Sequence, residues 1–385
     1  MVHIKQDLEN GDLPRAKEAI DSYTFSEPDS ASGWMLKARV YNSISNAPEF
    51  KELAADSRTV SFKSMEKAWD LNYQAVKKEL EPENYQLAFD IYKGYTNDGI
   101  AFFNAGTEKQ NKEDYLSALK HFKKAAQVNG FINRNGWGAR EPDINNLYYS
   151  FYSSLYADKQ DETFVFCKKI ADNNLVFSYP NKDFEPAYQW LVFYLRQKNN
   201  AELLKKYTIV AMQNIPESPY FASNYIDWLK ETKQYEEMFE WYRQLTYNFP
   251  GDKQYQLNYL KELLNHITND TVAQKSNWQA VLETGLNEFI LKYPTDAPGR
   301  LLIAKYYLIQ AAALKKALPL TTGQKARIKQ YLELANQQLR VVADKQAVVE
   351  PTTYQESLKL LIANLTSLKH KQEADRYSLL LNQVK

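Results

Sequence analysis

The chain has 385 residues, with 48 Lys plus Arg against 47 Asp plus Glu and a formal net charge of +1, whereas a general nucleic-acid binder carries a clear basic excess. Apolar residues at 44% and charged residues at 25% describe a globular chain with ample core material, while 12 Gly and 14 Pro are too few for the turns of a many-stranded β protein. The single cysteine, Cys167, excludes an internal disulfide framework and any multi-cysteine metal site.

Taken in chain order, the segment Met1 to Leu8 shows neither the apolar core of a signal peptide nor a lipidation motif. Asp12 to Tyr23 has helical periodicity, with Ala16, Ala19, Ile20 and Tyr23 on its inner face. It reads as the second helix of a pair whose first helix is clipped. On that reading upstream sequence has been removed, and an exported or periplasmic location is favoured over a cytoplasmic one. Trp34, Ala38 and Tyr41 then mark a first helix, and an insertion separates them from Ser61, Met65 and Ala68 on its partner. The clearest pair runs from Tyr85 to Val128, where Tyr115, Ala118, Leu119, Phe122 and Ala125 share one face. The small residues let a neighbouring helix come close, and Phe122 fills the remaining space.

Asn129 to Asp143 holds three glycines and a proline and is predicted as a projecting loop, with Trp137 as an exposed-aromatic candidate. Ile144 to Tyr156 is predicted as a helix with two neighbouring stripes. Ile144, Leu147, Phe151 and Leu155 form one, and Tyr148, Tyr152 and Tyr156 form the other at i,i+4 steps. Later helix-and-stop segments are Asn200 to Pro216, Tyr235 to Pro250 and Trp278 to Pro294, each closed by a proline. No run approaches the ~18–20 apolar residues of a membrane span, and the most apolar, Leu301 to Leu314, is interrupted by Lys305 and Gln310. From Leu301 onward there are 13 basic and 6 acidic residues, so a basic end follows an acidic body. Its basic residues are scattered and not set in a stripe, which fits a soluble capping end better than a docking surface.

Catalytic constellations are missing. The sequence has no phosphate-binding glycine loop, no nucleophile elbow and no paired-histidine zinc motif. His3, His121, His266 and His370 are not at metal-ligand spacing, and Cys167 reads as a buried small hydrophobe. The cluster Glu231, Glu236, Glu237 and Glu240 lies beside Lys230, Lys233 and Arg243, as on a solvated helix face. The expectation is therefore a protein without catalytic residues, metal or cofactor.

Helix pairs recurring at intervals of about 34 residues are the mark of a helical solenoid, and the chain resembles the tetratricopeptide repeat family. Phe102, Ala105, Gly106, Ala118, Phe122 and Ala125 fall at that family's spacing. So do Ala187, Trp190, Tyr194, Leu203, Tyr207 and Val210, and again Ala222, Tyr225, Leu229, Met238, Tyr242, Leu245 and Pro250. The match is best over residues 83–250. Residues 1–72 carry the insertion, and 252–385 form divergent, longer pairs with a C-terminal cap. The resemblance implies an all-α, right-handed superhelical solenoid of about seven or eight antiparallel helix pairs, with residues 1–385 as a single domain.

The resemblance also implies a concave groove lined by the first helix of each pair. In the register that aligns Leu147 with Phe102, the stripe Tyr148, Tyr152 and Tyr156 faces that groove. Phe103, Tyr188, Arg196, Tyr220 and Asp227 take corresponding positions in neighbouring pairs. Met35 and Arg39 stand where the family's clamp for acidic peptide tails has Lys and Asn, so that activity is not implied. The function expected is a non-enzymatic scaffold that binds a peptide or partner helix in its groove, the partner being a protein rather than a nucleic acid. The rival expectation is a small-molecule or glycan-binding protein of a bacterial envelope, with stacked tyrosines and Trp137 holding sugar rings.

Overall fold

The computed structural model describes residues 1–50, 52–139, 141–178, 182–269, 275–316, 319–345 and 349–383. Two compact units divide the chain, Met1–Tyr225 and Ile226–Lys385. The first contains α1 (Val2–Glu9), α2 (Leu13–Ser26), α3 (Ala31–Asn46), α4 (Ser57–Leu80), α5 (Gln86–Lys109), α6 (Lys112–Arg134), α7 (Ile144–Tyr156), α8 (Gln160–Asp172), α9 (Glu185–Gln197) and α10 (Ala201–Asn214). A two-stranded antiparallel ribbon, β1 (Phe177–Ser178) with β2 (Lys182–Asp183), joins α8 to α9. The unit boundary falls inside α11 (Tyr220–Glu231). The second unit continues with α12 (Tyr235–Asn248), α13 (Lys253–Asn269), α14 (Lys275–Lys292), α15 (Ala297–Lys315), α16 (Thr322–Ala343), α17 (Pro351–Ser367) and α18 (Lys371–Gln383).

The fold is all-α, and consecutive helices pack as antiparallel pairs, most extensively α3 on α4, α5 on α6, α15 on α16 and α17 on α18. Eighteen α-helices lie among the described residues, more than the seven or eight pairs expected. The surplus lies after Asp252, where the apolar pattern is long and irregular and three pairs, α13 to α18, are formed. No described helix is long and apolar enough to cross a membrane.

Small residues set the approach of α5 to α6. A Cβ on Gly99 would stand 2.7 Å from Phe122 Cε1, and one on Gly106 would stand 3.0 Å from Tyr115 Cδ1. Phe122 is fully buried there. Polar side chains then pin helices to their neighbours. Ser61 Oγ donates to the Ala38 carbonyl at 2.7 Å, and Asn146 Nδ2 donates to the Phe122 carbonyl at 2.9 Å. In the second unit Asn364 Nδ2 donates to the Leu332 carbonyl and to Asn336 Oδ1, both at 2.7 Å. Each such bond satisfies buried polar groups that would otherwise cost about 1–3 kcal/mol apiece.

The segment expected to project as a loop is mostly something else. Helix α6 runs on to Arg134, taking in the first six residues of the segment, because Phe131 and Ile132 bury their side chains. That burial outweighs the cost of about 1 kcal/mol for a glycine, Gly130, within a helix. The turn after it uses Gly136 and Gly138 at φ +70° and +87°, conformations that side chains resist. The chain then folds back, and Trp137 N donates to the Ile132 carbonyl at 3.1 Å.

A bidentate ion pair fastens the last helix. Arg340 Nε and Nη2 donate to the two carboxylate oxygens of Glu373 at 2.6 and 2.8 Å, and this partner holds the Glu373 carboxyl below its ordinary value. A depressed carboxyl stabilises the fold above its unfolded value, ~4.3, and loses that contribution as pH falls through the lower folded value. Both groups are partly exposed, so solvent screening limits the pair to about 0.5–1 kcal/mol. Glu373→Gln is expected to cost that amount at pH 7 and to flatten the acid limb of stability. Thermal melts of both proteins between pH 7 and 3 check this, and a variant with an unchanged acid limb would remove the assignment.

Candidate functional site

The site is built on α7, and α5 sets where α7 begins. Asp143 caps the helix by accepting from Asn146 N at 3.1 Å, while Tyr92 on α5 donates its hydroxyl to the other Asp143 oxygen at 2.8 Å. The bond from Asn146 to the Phe122 carbonyl, with Ser150 Oγ donating to Asn146 Oδ1 at 3.0 Å, fixes the rotation of α7 on α6. Leu147 and Phe151 are thereby buried, and the tyrosine stripe turns to the neighbouring face.

Along that face the rings form a chain. Phe103 on α5 lies 6.3 Å from Tyr156, Tyr156 lies 5.7 Å from Tyr152, and Tyr152 lies 4.9 Å from Tyr148 in a T-shaped contact. Tyr148 then meets Phe184 edge-on at 5.7 Å. Phe103, Tyr148 and Tyr152 are half-buried, whereas Tyr156 is 44% exposed. Burial raises the Tyr152 hydroxyl well above the ordinary tyrosine value, reinforced by Tyr148, Tyr156 and Asp183. Tyr148 and Tyr156 are also shifted upward, chiefly by burial. The three hydroxyls therefore stay protonated through the neutral range and can each donate and accept hydrogen bonds.

Other residues singled out from the sequence lie apart from this ring chain. Arg196 on α9 donates from Nη1 to Asn224 Oδ1 at 3.0 Å. Tyr220, half-buried, points its hydroxyl at the Gln189 carbonyl at 3.5 Å, and the Arg196 charge partly offsets the upward shift that burial gives it. These two form a second group within the first unit. Asp227 is exposed and belongs to the second unit.

Two expectations are corrected. Tyr188 is not available to a partner. It is 1% exposed, its hydroxyl accepts from Asn214 Nδ2 at 3.0 Å, and burial moves it up to about 12. Helical spacing placed it correctly on α9, but α10 covers it. Trp137 is likewise a core residue at 5% exposure, stacked on Tyr85 at 4.6 Å and 8° and edge-on to Trp69 and Phe131 at 5.0 and 5.3 Å. A ring with three aromatic neighbours available is buried whatever the glycine content of its loop. Cys167 is buried as expected, which pushes its thiol well above the ordinary value.

Two aromatic neighbours of the stripe, Tyr149 and Tyr115, were not expected beside it from the sequence. Tyr149 stacks on Phe122 at 5.4 Å and 11° and stands edge-on to Phe103 at 5.4 Å, and Tyr115 lies 5.0 Å from Tyr156. Tyr149 is adjacent to the stripe and outside its i,i+4 period. Its role depends on α5 and α6, which no feature of α7 encodes.

No protein-family profile matches this chain, and no curated protein does. Among solved structures, it is similar to a monomeric IFIT1 mutant with m7Gppp-AAAA at 12% identity and a TM-score of 0.37, over 90% of this chain and 69% of that one. The Naa15/Naa10 complex bound to HypK-THB aligns at 12% identity and 0.30, over 100% of this chain and 62% of that one. The TPR domain of P58(IPK) aligns at 12% and 0.27, over 96% and 97%. At such scores the superpositions carry no argument about what this chain binds. The helix pairing and the small-residue contacts of α5 with α6 are those of an all-α fold built from packed helix pairs.

Proposed function

We propose that this chain is a non-catalytic interaction scaffold that holds a peptide segment or partner helix against the aromatic face formed by α5 and α7. The observation that carries this reading is the continuous ring chain Phe103, Tyr156, Tyr152 and Tyr148, partly exposed along its length and equipped with three protonated hydroxyls. Tyrosine suits such a face because it offers broad contact area, few rotatable bonds and a hydroxyl of both hydrogen-bonding senses. The helical pairs supply rigidity, so little entropy is lost in ordering the face when a partner arrives. With Trp137 in the core, the rival glycan-binding reading loses the indole it assigned to the sugar.

A photo-crosslinking residue placed at Tyr156 in the full chain is expected to retrieve a polypeptide partner from native cells. Tyr152→Ala combined with Tyr156→Ala should then weaken that partner by ~1–4 kcal/mol, with the helical circular dichroism unchanged. Affinity should also stay flat between pH 6 and 9, since none of the three hydroxyls titrates there. An unaltered dissociation constant in the double variant would sink the proposal.

A further inference from the structure

A cavity of about 400 Å³ opens in the first unit between the α3–α4 connection, the start of α4, α5 and α6, within the size range of small-molecule sites. Five charged side chains line it. Two of them neutralise each other, because Arg58 Nε donates to Asp98 Oδ2 at 3.2 Å, and Arg58 Nη1 is taken up by Asn46 Oδ1 at 3.2 Å. Arg58 is thus already occupied. The other three are Lys120, Lys124 and Asp56.

The Lys124 ammonium donates to Thr59 Oγ1 in the first turn of α4 and lies 5.6 Å from the centre of the Tyr95 ring, while Thr59 Oγ1 also meets the Tyr95 hydroxyl at 3.0 Å. Among the described residues neither Lys124 nor Lys120 has a carboxylate within ion-pairing distance. Burial and the neighbouring Lys120 charge hold Lys124 below its ordinary value, and Asp56 offsets this only in part. The cost of bringing two cations together is therefore not repaid within the chain. Both remain within reach of a ligand, since Lys124 is half-buried and Lys120 exposed, and Lys124 keeps two N–H donors beyond the one given to Thr59. Apolar lining comes from Ile44, Ala54 and Phe102, the last 37% exposed with its ring 5.1 Å from that of His121.

We propose that this cavity binds the phosphoryl group of a small phosphate monoester. The phosphoryl oxygens accept from Lys124 and Lys120, and the organic body lies against Phe102. Such a group carries about −1.5 to −2 charges at neutral pH and three strong acceptor oxygens. It therefore answers two unpaired ammonium groups, which a singly charged head group does only in part. Asp56, exposed and making no side-chain bond to the first turn of α4, is the one uncompensated charge on the wall that opposes the ligand. None of these residues belongs to the ring chain of the proposed partner face, and the inference does not rest on that reading.

The test is isothermal titration of the full chain at neutral pH with phenyl phosphate, with inorganic phosphate as the head group alone and benzenesulfonate as the same body carrying a single charge. Saturable binding of one phenyl phosphate per chain is expected, at least about fivefold tighter than either comparison compound and accompanied by a rise in Tm. Lys124→Gln, which keeps a donor for Thr59, should weaken phenyl phosphate by about tenfold or more. The Tm of the unliganded variant should stay level or rise, because a partly desolvated, unpaired charge is gone. Asp56→Ala, at an exposed position, should tighten phenyl phosphate by about twofold to fivefold by removing the opposing carboxylate. Absence of saturable binding, equal affinity for phenyl phosphate and either comparison compound, affinity unmoved by Lys124→Gln, or affinity that does not rise in Asp56→Ala would each overturn the proposal.

Discussion

Trp137→Ala lowers the stability of the first unit by about 3–5 kcal/mol, the cost of deleting a large aromatic side chain from a packed core. The ring is the meeting point of Tyr85, Trp69 and Phe131 and belongs to the cluster that also contains Met35, Phe62 and Ile91. Its loss also strips the support from Tyr85, whose backbone sits at φ +59°, a left-handed conformation that a bulky residue holds only when its surroundings compensate. The indole Nε1 is buried without a partner, so Trp137→Phe should recover most of the loss by removing that unsatisfied donor along with little ring area. Denaturant unfolding followed by far-ultraviolet circular dichroism measures both variants. A loss below about 1 kcal/mol for the alanine variant would place the ring at the surface and reopen its use as a binding residue.

Phe122→Ala is the second large effect, again about 3–5 kcal/mol, and it reaches the candidate site. Phe122 is fully buried, fills the space left by Gly99, and carries Tyr149 stacked on its face. Its carbonyl also receives the bond from Asn146 that sets the rotation of α7. Truncation therefore opens a cavity beneath α7 and loosens the tyrosine stripe together with the α5 to α6 contact. Amide hydrogen exchange should show α7 losing protection as the global Tm falls. Protection in α7 that stays at the wild-type level would mean that the stripe is positioned by something other than this packing.

These two residues also show how far the sequence could be read. Phe122 was legible because its neighbours Ala118 and Ala125, together with Ala105 and Gly106 on the facing helix, announce a close helix contact at helical spacing. Trp137 was not, since a run rich in glycine is locally a loop whether it projects or folds back. Only the contacts with Tyr85 and Trp69, distant in sequence, decide the matter. Tyr188 shows the same limit from another side. Its helix and its position within the helix were read correctly, yet its burial depends on α10 and on the Asn214 side chain.

What the amino-acid order settles is local. Apolar period, capping residues and proline stops are properties of one segment, and they specify an all-α chain of paired helices, the limits of α7 from Ile144 to Tyr156, and a buried Cys167. What needed the packed structure is which neighbour covers which ring. A helical period gives a side chain's angle about its own axis, but whether that direction meets solvent or another helix depends on contacts between residues far apart in the chain. For a protein with 28 tyrosines, that distinction separates Tyr188, closed in the core, from Tyr156, open on the face proposed to meet a partner.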